Sequence, residues 1–86
     1  MAKNADISKA LRELGFLTEV EGGENVQFKA RAYYKAADTI ANLTKDISEL
    51  YSQGGVSMLL QIPSIGKAIA SKIEQFIKDG RMDQLE

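Results

Sequence analysis

Eighty-six residues, 44% of them hydrophobic and 27% charged, make one domain near the lower size limit for folding on a single core. With no cysteine and no histidine, disulfides, thiol chemistry, the Ser-His-Asp arrangement and the commonest zinc ligands are excluded. The net charge of −1 and pI of about 5.4 also argue against a protein that binds nucleic acid by bulk positive charge.

In chain order, the first helix is expected over about residues 5–20. Ile7, Leu11, Leu14 and Leu17 recur at helical spacing, Asn4 or Asp6 is the expected cap, and Gly22-Gly23 ends the helix. Glu19, Glu21 and Glu24 crowd the region that follows, as a solvated acidic loop or a cation-attracting cluster. The second helix starts near Val26 behind an Asn25 cap. Phe28, Ala32, Ala36, Ile40 and Leu43 form an i, i+4 stripe whose alanines suit close approach of another helix.

Thr44 is the expected cap of a short third helix through Ile47, Leu50 and Tyr51, stopped by Gly54-Gly55. A fourth, very short helix covers about residues 57–61. The turn Pro63-Ser64-Ile65-Gly66 leads into a fifth helix from Lys67 to Asp79, with Ile69, Ala70, Ile73, Phe76 and Ile77 inward and Gly80 as its stop. No stretch shows strand alternation. The expected fold is all-α, one compact domain of four to five short helices spanning residues 1–86. No apolar run reaches the roughly eighteen residues of a membrane span, and the N-terminus lacks a signal-peptide apolar region. The expected location is therefore cytoplasmic, associated with the nucleoid in a prokaryote.

The turn carries the clearest functional signal. Pro63 stops the incoming helix and Gly66 leaves room for an approaching group. Backbone N–H groups there, with the unsatisfied donors that open the fifth helix, form a phosphate site that Lys67 reinforces. The plainer alternative is an αα-hairpin in which Pro and Gly only make the corner.

Several other residues draw attention. Lys72 has no carboxylate at i±3 or i±4; its neighbours there are Ala68, Ile69, Gln75 and Phe76. It falls at the margin of the apolar face. There it is either a stem lying along the core with its head in water, or a desolvated amine fit to act as a nucleophile. Lys29 lies in the first turn of its helix, against the dipole, and Arg31 and Lys35 repel at i, i+4. These placements fit a bound anion or an ordinary solvated face. Tyr33 is expected at the core edge and Tyr34 on the outer side, free to make contact.

Together, "FKARAYYKAADTI" on the second helix and "IPSIGKAIASKIEQFIKDGRMDQLE" at the end resemble the N-terminal eight-kilodalton domain of X-family DNA polymerases, the DNA polymerase beta type. The resemblance runs from about Ile7 to Glu86. It implies binding to gapped, nicked or 5′-phosphorylated DNA in base-excision repair, with 5′-deoxyribose-phosphate lyase activity in several members. On the matching positions, Lys72 is the Schiff-base lysine, Lys29 a phosphate-pocket lysine and Tyr33 the tyrosine lining that pocket. Arg31, Lys35, Ser64, Gly66 and Lys67 are the expected further phosphate contacts. No cofactor is implied as required. A monovalent cation, Na+ or K+, is implied at the hairpin backbone around Ile62, Ser64 and Ile65.

The pattern is not complete. Ser64 replaces the usual glycine of Pro-Gly-x-Gly, Ala68 stands where a second pocket lysine can be, and Gln84 occupies a further basic position. The family's polymerase domain would follow where this sequence ends, so it is an expected partner and no polymerase site is expected here. The competing reading is a non-catalytic helix-hairpin-helix module that docks DNA or a protein.

Overall fold

The computed structural model describes residues 3–83. Five helices follow in order: α1 (Asn4–Glu21), α2 (Val26–Ala41), α3 (Ile47–Gly54), α4 (Val56–Leu60) and α5 (Lys67–Asp79). No strand occurs among the described residues, so the all-α expectation holds.

Helices α1 and α2 run antiparallel, as the pairings between them show. The buried Ser8 hydroxyl donates to the Ala37 carbonyl at 2.8 Å, and Arg12 pairs with Asp38 at 2.7 Å. Near the other end, Tyr34 donates to Glu19. The Tyr34 ring covers Gly15, where an added Cβ would come within 2.7 Å of it. Gly15 is therefore a packing glycine, and Tyr34 is a strap between helices rather than the outward-facing side chain its position suggested.

The core joins Ile7 and Leu11 of α1, Ala36 and Ile40 of α2, Ile47 of α3, Leu59 of α4, and Ile69 and Ile73 of α5. Burying such side chains is worth about 1.5–3 kcal/mol each. The stripe expected on α2 fails at its start. Phe28 is 79% exposed and Ala32 is exposed, while Ala30 and Ala37 are buried. A strict i, i+4 run advances about 40° around the helix at each step, so twelve residues separate Phe28 from Ile40 by about 120°. On α1, Leu14 is buried but Leu17 is 42% exposed.

Two caps differ from expectation. Asn4 lies inside α1 and makes no cap there; its carbonyl oxygen accepts the Ile47 N–H at 2.9 Å and its amide donates to the Lys45 carbonyl at 2.7 Å. It thus fixes the start of α3 from 43 residues away. Asp46, not Thr44, caps α3 by accepting the Ser48 N–H at 2.8 Å. Asn25 stands at the cap position of α2 with φ 60°, but its side chain makes no capping bond. Helix α5 begins and ends as expected, with Gly80 closing it in the left-handed conformation at φ 77°. Tyr51 donates to Glu74 at 2.5 Å, tying α3 to α5. No helix among the described residues is long and apolar enough to cross a membrane.

Candidate nucleic-acid interface

Between α4 and α5 the chain makes a hydrogen-bonded turn over residues 62–65, one residue earlier than the Pro-Ser-Ile-Gly run suggested. The Ile65 N–H donates to the Ile62 carbonyl at 3.2 Å. Pro63 occupies the second position and Ser64 the third, where φ is +70°. Proline followed by a positive φ is the signature of a type II turn, whose third position favours glycine. Ile62 and Ile65 are buried, at 7% and 5% exposure, and anchor a turn whose Pro63, Ser64 and Gly66 face out.

Gly66 is not there for backbone freedom. Its φ of −95° and ψ of −175° suit any residue, and a Cβ would meet nothing within 4 Å. It stands at the cap position of α5 without a side-chain cap, and the first turn of α5 holds no acidic residue. The opening N–H groups of that helix, which have no partner within it, and the positive end of its dipole are therefore left for an incoming anion.

These groups border a groove of about 790 Å³. One wall is Ser64, Gly66, Lys67, Ala68 and Ile69. The other comes from the end of α1 and the start of α2, including Lys29 and Tyr33. The structure thus brings together Lys29, Tyr33, Ser64, Gly66 and Lys67 from opposite halves of the chain. Lys29 and Lys67 are exposed, and Tyr33 is half-buried against the core. Arg31 and Lys35 are exposed on α2 and lie outside the groove lining.

Glu21 and Glu24 line the same groove, a placement that spacing along the chain did not reveal. Their acidic run was visible, but its position opposite Lys67 depends on how the α1–α2 turn folds back. Glu19 instead accepts from Tyr34, and the described residues form no acidic group suited to a metal ion. With two carboxylates against two ammonium groups, the groove has little net charge. Amide donors and local geometry must supply much of any phosphate selectivity.

Lys72 is not at the margin of the helix face but inside, at 5% exposure, the one charged side chain so buried among the described residues. Its Nζ donates to the Asp83 carbonyl at 2.6 Å. Lys72 does not line the groove; Ala68 and Ile69, one helical turn before it, do. Lys78 meets Glu74 at 3.8 Å, as their i, i+4 spacing anticipated. Gln84 lies outside the described residues. At the hairpin, the Ile62 carbonyl uses one lone pair on Ile65.

The turn and the uncapped helix start define a class: small helical domains built on a proline-containing hairpin between two helices. A family model described as a helix-hairpin-helix domain matches residues 2–82. The chain belongs to that family, whose domains generally bind DNA. No curated protein and no solved structure matches the chain.

Proposed function

We propose that this domain docks gapped or nicked DNA by holding a 5′-phosphate in the groove between α2 and α5, in the manner of the N-terminal domain of X-family polymerases. The observation that supports this reading most is the convergence of Lys29, Tyr33, Ser64, Gly66 and Lys67 on one groove at the start of α5. Lys29 and Lys67 supply charge, the α5 amides supply donors, and Tyr33 forms part of the wall. Arg31 and Lys35 contact the flanking backbone from the exposed side of α2. A Na+ or K+ ion at the backbone of Ile62, Ser64 and Ile65 would bring a further phosphate oxygen to the hairpin. A C-terminal polymerase domain is the partner this reading implies.

The same reading gives Lys72 a lyase role. Its neutral amine attacks C1′ of the ring-opened sugar and water leaves to form an imine. Loss of the C2′ proton then expels the 3′-phosphate by β-elimination, and hydrolysis of the imine frees the enzyme. Burial of Lys72 against the Asp83 carbonyl favours the second reading, a docking module without catalysis.

Two measurements separate them. Affinity for a one-nucleotide gap should fall when its 5′-phosphate is replaced by hydroxyl, and Lys29→Ala should abolish that difference. Equal affinity of the wild type for both gaps would sink the phosphate site. Borohydride trapping on an incised abasic site should give a covalent adduct that Lys72→Ala removes. No adduct alongside phosphate-dependent binding would leave docking alone.

A further inference from the structure

Lys72 is covered by a short piece of chain that grips it closely. After Gly80 turns the chain out of α5, residues 81–83 fold back along that helix. Asp83 is held at three places. Its N–H donates to Gln75 Oε1 at 2.9 Å, its carboxylate accepts from Gln75 Nε2 at 2.7 Å and from Arg81 at 2.9 Å, and its carbonyl accepts Lys72 Nζ at 2.6 Å. Gln75 thus pairs with both the backbone and the side chain of one residue, a two-point clasp that fixes where the Asp83 carbonyl sits.

We propose that residues 81–83 are a latch over the Lys72 amine and that Gln75 is the residue that holds it shut. With the latch closed, Nζ is desolvated and engaged by a carbonyl, so it cannot meet an aldehyde. With the latch open, the same amine faces solvent one turn below the groove. The clasp itself consists of exposed or part-buried hydrogen bonds, with Met82 beside it packed part-buried against the core, and a three-residue segment held in this way opens locally without unfolding the domain. Its importance for catalysis rests on the lyase role proposed for Lys72. The latch itself is testable without DNA.

Reductive methylation with formaldehyde and cyanoborohydride reads it directly. A neutral amine adds to the aldehyde carbon, water leaves, and hydride reduces the imine to a secondary amine. Site-resolved mass spectrometry then compares Lys72 with exposed Lys67 in the same molecule. In the wild type Lys72 should react at least tenfold more slowly than Lys67. Gln75→Ala should close that gap by about tenfold, equal to about 1.4 kcal/mol and to the removal of one or two hydrogen bonds. Asp83→Ala, whose side chain is 44% exposed, should act in the same direction and serves if the Gln75 variant does not fold. Unchanged amide exchange at Ile73 separates local opening from unfolding.

Equal rates at Lys72 and Lys67 in the wild type would overturn the latch. So would a Lys72 rate unmoved by either folded variant. If the variants unmask Lys72 to formaldehyde yet still trap no abasic DNA, the latch stands and the lyase role falls.

Discussion

Ser64→Gly is a substitution whose sign can be worked from one angle. The turn over residues 62–65 places Ser64 at the third position with φ +70°, where an L-residue's Cβ crowds the backbone at a cost of about 1–2 kcal/mol. Glycine removes that cost but gives the unfolded chain more freedom, which returns about 0.4–1 kcal/mol. The net gain is about 0.5–1 kcal/mol. In a domain of this size that raises Tm by about 2–8 °C. Ser64→Ala keeps the Cβ and should change stability by less than half as much. Circular dichroism melts of the three proteins at one pH decide the matter. A Tm for Ser64→Gly at or below the wild type would mean that the third position of the turn carries no strain for glycine to relieve. The same variant removes a side chain from the groove wall and should tighten binding to nicked DNA.

Asn4→Ala removes both bonds that fix the start of α3 and should cost about 1–2 kcal/mol in urea unfolding. Gly15→Ala should stabilise α1 by up to about 1 kcal/mol in a Tyr34→Ala background, through helix propensity alone. With Tyr34 present the new Cβ meets the ring and that gain should vanish; equal effects in both backgrounds would contradict the packing. Hydrogen bonds to Glu19 and Glu74 raise Tyr34 and Tyr51 above the ordinary value of 10.0. Their stabilising contribution is thus complete below pH 10 and lost as pH rises through the raised values. The urea midpoint should fall more steeply above about pH 10 in the wild type than in the Tyr34→Phe/Tyr51→Phe double variant.

The helices were legible where local rules act alone. α5 could be bounded from Lys67 to Asp79 because proline and two glycines punctuate it. The start of α3 could not, because Asn4 helps to fix it from 43 residues away. The α2 stripe misled at Phe28 because helical phase accumulates over three turns. In the groove, the lysines, Tyr33 and the hairpin were each visible as residue types. The glutamates facing them were visible only as an acidic loop, since the fold of the α1–α2 turn decides which wall they join. The depth of Lys72 was hidden for a related reason. Helix phase put it at a margin, but residues 81–83, which carry no periodic signal, fold back over that margin.

The most direct test of the groove as a phosphate site is the salt dependence of affinity for 5′-phosphorylated gapped DNA, measured for wild type, Lys29→Ala, Lys67→Ala and Lys9→Ala. Every phosphate that a variant no longer neutralises should flatten the slope of log K against log salt by about one. That flattening is expected for Lys29→Ala and Lys67→Ala, while Lys9→Ala, outside the groove, should leave the slope unchanged. Four parallel lines would contradict a phosphate site there.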